Sequence, residues 1–277
     1  RIIDTQSLSI DALSTATVTS RCLMLAVGKA IDQAGGSASE WQKKPSGITA
    51  QAPVTVDADV VILGGGGAGL SAAVAAAENG AQVALVEKTA MLGGNTLRAG
   101  GHFNAVVEGN QESIEMAPAK IETVKNYIAM EPKNDIMAGW QTELAAEFAD
   151  YEASGVSHLF DSIYLHMLQT YSDGDFYGNP ELIENLCREA PVTYRWLEEL
   201  GYPWPEAPRI ITGSLWERTN SPTTYNGGYG FFDILTKHIE KEQLPITIYY
   251  EVAAQELLQK DGRITGATGT GADGTEY

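Results

Sequence analysis

Cysteine is scarce: Cys22 and Cys187 are the only two in 277 residues. Two thiols so far apart argue against a disulfide scaffold and against a thiolate metal site, and both read as buried free thiols. Cations are outnumbered two to one, 18 Lys and Arg against 36 Asp and Glu, leaving a net charge of −18. Nucleic acid and anionic membranes both need clustered Lys and Arg, so neither is an expected partner. An anionic small molecule stays possible, because a local arginine clamp can outvote a global field. No apolar run approaches the ~20 residues of a membrane helix. His102, His158, His166 and His238 show no paired ligand spacing, so no metal is expected. No signal peptide is visible, but the chain starts at Arg1 and not at a methionine, so that absence excludes nothing.

Glycine, by contrast, is plentiful, with 29 residues, and its placement organises the reading. Residues 1–36 form a small unit: "SIDALSTATVTS" is polar and turn-like, and "RCLMLAVGKAIDQAGG" reads as an amphipathic helix closed by Gly35 and Gly36. Residues 37–56 hold no steady period and two prolines, and read as a linker. Residues 57–63, "DADVVIL", read as a buried strand; "AGLSAAVAAAENG" is a helix ending at Gly80, and "AQVALVE" is a second buried strand. Together they make a βαβ unit of the expected ~30 residues.

Residues 112–156 are helical in pattern, with Pro118 and Pro132 as breaks. "NPELIENLCREAPVTYRWLEELG" is a further helix, with Leu182, Leu186, Trp196, Leu197 and Leu200 on one face and a kink at Pro191. After a loop over 203–228, "YGFFDILTKHIEKEQ" returns to helix. From Ile246 onward, Asp-Gly turns at 261–262 and 273–274 separate strand-like runs, which indicates an antiparallel meander. The chain stops at Tyr277 where a new strand would start, and is read as cut short.

Gly64, Gly66 and Gly69 fit G-x-G-x-x-G between the first strand and the helix. The first allows the tight turn, the second lets backbone approach a pyrophosphate, and the third permits close strand–helix packing. Gly67 and Ala68 open the helix, whose N-terminal N–H groups suit phosphates. Glu87 ends the second strand 18 residues after Gly69, where it can accept hydrogen bonds from a ribose diol. Lys88 beside it keeps a phosphorylated ribose open. FAD and NAD share this unit, so the unit alone does not choose between them. The next stretch, "EKTAMLGGNTLRAGGHFNA", adds the pairs Gly93–Gly94 and Gly100–Gly101, which would let a second backbone segment lie along a long ligand.

On these residues the chain resembles the fumarate reductase/succinate dehydrogenase flavoprotein family, in its soluble fumarate-reductase-like branch. The likeness rests on "DVVILGGGGAGLSAAVAAAENGAQVALVEK", "GGNTLRAGGHFNA", "NPELIENLCREAPVTYRWLEELG" and "EVAAQELLQKDGRITGA", which lie within residues 57–277. It implies an α/β, Rossmann-like FAD-binding domain with a parallel sheet, helices and an antiparallel meander. FAD would run from Gly64–Gly69, Glu87 and Lys88 to Gly93, Gly94, Asn95, Thr96, Ala99, Gly100 and Gly101, with Val252 and Ala253 against the adenine. Gly228 and Gly230 match a family glycine loop less closely and read equally well as a plain turn. Respiratory members bond flavin to a histidine before the second glycine pair; "GGNTLRAGG" has none, so the resemblance implies non-covalent FAD, with His102 structural or flavin-neighbouring.

The family reduces an activated C=C bond by hydride transfer from flavin N5. Its catalytic residues and capping domain align beyond Tyr277, so no catalytic residue is assigned, and the chain alone is expected to be inactive. Arg98, Arg218, Tyr225 and Tyr229 are polar residues near the flavin segments whose plainer reading is surface or packing.

Asp11–Ser20, "DALSTATVTS", resembles the end of an FMN-binding domain with the pattern D-x-x-S-G-A-T. Asp11, Ser14, Ala16 and Thr17 match, and Thr15 stands where glycine is usual. The resemblance implies FMN covalently attached to Thr17 as an electron relay; a Ser/Thr-rich helix cap is the plainer alternative. The expected domains are therefore an FMN-domain remnant at 1–36, a linker at 37–56 and the first segment of an FAD domain at 57–277. The expected partners are an unsaturated carboxylate and an electron-donor protein or FMN domain, and the expected place is extracytoplasmic or at the cell surface, with the cytoplasm as alternative. A 3-oxosteroid 1-dehydrogenase type of flavoenzyme and a non-catalytic electron-transfer fragment stand beside the reductase as alternatives.

Overall fold

In the N-terminal stretch, helix α1 covers Ile2–Thr5 and α2 covers Thr17–Gln33, four residues earlier than the apolar pattern predicts at its start. Gly35 at φ +86 ends it, as expected of a residue that tolerates the left-handed region. The computed structural model describes residues 2–10, 17–42 and 51–277. The described end of the expected linker is tied down: the N–H of Val54 donates to the carbonyl of Glu276, 2.8 Å, and that of Gln51 to Thr275 Oγ1, 2.9 Å. Cys22 is exposed, not buried as its composition suggested.

Strand β1 (Val60–Leu63), helix α3 (Gly67–Glu78) and strand β2 (Val83–Glu87) form the βαβ unit, with the strands parallel and Val60 opposite Val83. Leu70, Ala73, Val74 and Ala77 recur on one face of α3 and are buried, together with Val83, Ala84 and Leu85 of β2. β1 departs from the expectation of a strand buried on both faces. Ile62 lies toward α3, but Val61 and Leu63 remain 39 % and 43 % exposed. Side chains alternate across a strand, and the face opposite α3 borders an apolar cavity of about 440 Å³ also lined by Ala84, Val86, Tyr249 and Val252.

Residues Asn95–His238 form a compact unit distinct from the one that combines Arg1–Gly94 with Ile239–Tyr277. It holds the two-residue strand β3 (Phe103–Asn104) and four long helices: α4 (Pro118–Ala129), α5 (Asp135–Ser154), α6 (Ile163–Asp173) and α7 (Pro180–Glu199). Pro118 opens α4 and Pro132 falls between α4 and α5, where proline costs no helical bond. Asn134, Ser162 and Asn179 cap the next three helices, each side chain accepting from a first-turn N–H. Trp140, Leu144, Phe148, Leu165, Leu168 and Cys187 join one core.

The expected face of α7 is corrected in its first half, while Leu197 is buried as expected. Ile183, Cys187, Ala190, Tyr194 and Leu197 point inward, while Leu182 and Leu186 are 68 % and 57 % exposed. The helix is continuous through Pro191. Burial pushes the Cys187 thiol up to about 11. An Ellman-type reagent should therefore titrate one thiol per native chain, Cys22, and two after denaturation. A rapid native count of two would contradict the buried position of Cys187.

Strand β4 (Thr219–Asn220) pairs antiparallel with β3, and α8 spans Tyr229–Glu242. The run "ITIYY" is also corrected. As β5 (Ile246–Tyr250) it adds to the parallel sheet beside β2, in the order β1-β2-β5, and is no part of a meander. A helix ahead of a β-branched strand is a crossover connection, which favours parallel pairing. Glu251, at φ +59, then turns the chain into β6 (Val252–Lys260), which pairs antiparallel with β7 (Arg263–Gly271). Asp261 and Gly262 both take positive φ in that tight hairpin, as the Asp-Gly signal requires.

Candidate dinucleotide site

At the carboxyl end of β1 the chain must leave the sheet and enter α3 within three residues. Gly64 does so at φ +100, a conformation that a side chain would strain. A Cβ on Gly69 would lie 1.9 Å from the Gly64 carbonyl oxygen and 3.4 Å from Ile62 Cγ2, so α3 sits against the turn only because that atom is missing. A Cβ on Gly66 would meet nothing within 4 Å, so the backbone there is bare and faces open space. No side chain caps α3 at Gly66. Gly67 and Ala68 form its first turn, the end of a helix that favours anions.

Glu87, 6 % exposed, reaches back to this turn. Its Oε2 accepts from the Gly65 N–H at 2.9 Å, and its Oε1 accepts from the Thr89 N–H at 2.7 Å and the Thr89 hydroxyl at 2.8 Å. Burial pulls the carboxyl upward, but the donors of Gly65 and Thr89, with Lys88 nearby, outweigh it and hold Glu87 below the usual carboxylate range. The group is therefore an ionised acceptor at neutral pH. Lys88 itself is exposed.

Gly93 and Gly94 come to the same turn. The Gly93 N–H donates to the Gly65 carbonyl at 2.8 Å, Gly93 bridges to Gly66, and a Cβ on Gly94 would sit 3.8 Å from the Gly66 Cα. From the other side, the Glu251 N–H donates to the Thr89 carbonyl at 3.1 Å, which brings the start of β6, Val252 and Ala253, to the end of β2. Val252 is buried and Ala253 half-buried. One unit thus gathers Gly64, Gly66, Gly67, Ala68, Gly69, Glu87, Lys88, Gly93, Gly94, Val252 and Ala253. Three features suit a dinucleotide: a bare glycine backbone at Gly66, a helix start with no side chain capping it from that position, and an ionised acceptor at the strand end. Sequence reasoning missed Gly65, Thr89 and Leu92. A Cβ on Gly65 would approach Leu92 Cδ2 to 2.3 Å, so the turn's middle glycine is fixed by a side chain 27 positions away.

Asn95, Thr96, Ala99, Gly100 and Gly101 belong to the helical unit. There Gly101, at φ +74, would place a Cβ 2.4 Å from the Gly227 oxygen, and a Cβ on Gly228 would meet the Thr96 oxygen at 1.9 Å. The Gly228 N–H donates to the Ala99 carbonyl at 2.9 Å. Gly101 and Gly228 are thus required by one backbone lying on another. Gly230 packs under Tyr225, and a Cβ on Gly100 would strike the His102 ring. His102 Nδ1 is 2.7 Å from Ser221 Oγ.

Of the four polar residues, Arg218 is a buried structural group. Its Nη2 and Nε donate to Asp161 at 2.6 and 3.2 Å, and its Nη1 donates to Gln169 at 2.7 Å. Tyr225 donates to Asp233 at 2.6 Å, Tyr229 contacts the same carboxylate, and Arg98 ends a short turn over Thr96–Arg98. Asp11, Ser14, Thr15 and Ala16 lie outside the described residues, and Thr17 is described only as the backbone start of α2. Among the described residues no cluster of His, Cys, Asp or Glu could hold a metal, and no helix is long and apolar enough to cross a membrane.

The model of a family described as the FAD binding domain matches residues 59–157 and 141–276. Across its whole length the chain is 33 % identical, over 294 aligned positions, to an NADH:acrylate oxidoreductase of Vibrio harveyi, of which it covers 29 %. A urocanate reductase of Eggerthella lenta is 44 % identical over 102 residues, 36 % of this chain and 17 % of that protein. Among solved structures, the open conformation of a flavocytochrome c3 fumarate reductase is similar with a TM-score of 0.60 over 86 % of this chain and 36 % of that one. At 21 % identity that likeness bears on fold alone. The chain spans less than a third of either named relative.

Proposed function

Because the chain belongs to the FAD-binding domain family, we propose that it is the FAD-holding part of an oxidoreductase that reduces the C=C bond of an α,β-unsaturated carboxylate. The observation that carries this reading is the similarity of the whole chain to 29 % of an NADH:acrylate oxidoreductase, joined to a glycine turn whose backbone is bare at Gly66 and whose acid, Glu87, is ionised. FAD bound there would supply the hydride chemistry. The chain's own residues bind and orient: Gly64–Gly69 and the start of α3 take the pyrophosphate, Glu87 accepts from the ribose diol, and Val252 and Ala253 border the adenine. Asn95, Thr96, Ala99, Gly100 and Gly101 are assigned to the flavin end on the family resemblance. No catalytic role is assigned within the chain.

The proposal extends to the domain plan of residues 1–36, 37–56 and 57–277, to FMN on Thr17 as electron relay, to an external electron donor, and to an extracytoplasmic or cell-surface place. A visible spectrum tests the cofactors. Flavin absorbance near ~450 nm that is released on denaturation supports non-covalent FAD. Absorbance that stays with the peptide, and disappears in Thr17→Ala, supports covalent FMN. A colourless chain that takes up no added FAD overturns the FAD reading. For the full-length protein, reoxidation of the reduced flavin by acrylate, fumarate or urocanate tests the substrate class, and failure of all three refutes it. Cell fractionation with an antibody tests location.

A further inference from the structure

We propose that Thr89 is a positioning residue: it holds the Glu87 carboxylate in the one orientation from which it can select a ribose diol, an inference that rests on the dinucleotide reading above. A glutamate at a strand end has three rotatable bonds, and one donor on each oxygen would still let the carboxylate plane rock about the line joining them, a freedom that a third donor removes. Here both oxygens are fixed. Gly65 N–H holds Oε2, while the Thr89 N–H and hydroxyl hold Oε1. The Thr89 hydroxyl also lies 2.7 Å from the Met91 carbonyl, but it has one proton, and an ionised carboxylate is the stronger acceptor. A carboxylate has about four acceptor sites. Three are taken by Gly65 and Thr89, so about one acceptor position remains, enough for one of the two diol hydroxyls.

Thr89 acts on more than Glu87. Its carbonyl accepts from the Glu251 N–H at 3.1 Å, immediately before Val252 and Ala253. The same residue therefore ties the acid, the glycine turn and the start of β6 together. A serine could keep every one of these bonds. A valine keeps the backbone bonds and the branched shape but loses the hydroxyl.

The test compares ADP with 2′,3′-dideoxy-ADP, titrated calorimetrically into the wild-type chain and into Thr89→Val, Thr89→Ser and Thr89→Ala. The wild type is expected to prefer ADP about tenfold. Thr89→Val and Thr89→Ala should bind ADP about tenfold more weakly and the dideoxy nucleotide unchanged, erasing the preference, and Thr89→Ser should restore it. A structural role alone would weaken both nucleotides equally in the valine and alanine variants, and that result overturns the proposal, as does a diol preference that survives or grows without the hydroxyl. If the wild type binds neither nucleotide, the dinucleotide reading itself fails. If valine disturbs the fold, as circular dichroism would show, the alanine variant reads the same contrast.

Discussion

Gly69→Ala should destabilise the protein by about 3 kcal/mol or more, the upper part of the range for overpacking, and lower its melting temperature by roughly 10 °C. The sign makes this informative. Gly69 lies inside α3, where alanine is intrinsically better than glycine by about 1 kcal/mol. Helix propensity alone therefore predicts stabilisation. The obstacle is the Gly64 carbonyl, 1.9 Å from the added Cβ, which is backbone and has no rotamer to change. Gly66→Ala is the control: its Cβ enters open space and should leave the melting temperature within a few degrees while filling the surface proposed for the pyrophosphate. Thermal melts of the two variants, followed by FAD titration, separate the roles. A Gly69→Ala chain as stable as wild type would mean that α3 is not packed against the turn as described.

Where the local signal had one solution, the fold was legible. β1, α3 and β2 follow from two β-branched runs around an alanine-rich helix, and the Asp261–Gly262 hairpin follows from a dipeptide that tolerates two positive φ values. Partner identity was not legible. "ITIYY" reads as a strand whichever neighbour it takes, and only the finished structure pairs it parallel to β2 instead of antiparallel to β6. The first half of the α7 face failed for another reason. Weighing positions by size selects Leu182 and Leu186, whereas the packed stripe has Cys187 and Ala190 at its centre. Small residues let helices approach, so they can mark a core that large side chains do not.

The backbone geometry of the glycine turn was legible residue by residue, because the spacing of Gly64, Gly66 and Gly69 encodes it. Its supports were not. Thr89 and Leu92 act through contacts that no spacing rule states: one orients an acid two positions away, and the other fills the space beside Gly65. The glycines of 100–101 carried a signal that was read only in part. Close approach was the right inference, but the segment that approaches Gly101 is Gly227, another stretch of the chain's own backbone.

Arg218→Met should cost about 3–5 kcal/mol, the usual price of stripping a buried ion of its partner, with the deficit largest near neutral pH. The Arg218 and Asp161 side chains are only 4 % and 1 % exposed. Without the guanidinium, Asp161 keeps only the Ser162 N–H at 2.9 Å and Gln111 at 3.3 Å. Burial already pushes the Asp161 carboxyl upward and Arg218 pulls it back, so the variant should raise it further. A carboxyl whose folded pKa is raised loses stability as pH rises through the range above its unfolded value, about 3.9. His166 adds to the same trend. Burial first, and the Arg218 charge second, lower its pKa to about 3, so the wild type loses stability as pH falls from about 6.5 toward 3, while the unfolded chain takes up the proton. Removing Arg218 relieves part of that. Both effects narrow the gap between variant and wild type in acid. Urea unfolding at pH 7.5 and pH 5 should show a smaller difference at pH 5. Replacing both partners, Asp161→Leu with Arg218→Met, should recover part of the loss, because an apolar pair leaves no buried charge. A loss under 1 kcal/mol at pH 7.5, or one that grows in acid, would show that the ion pair does not hold the helical unit together.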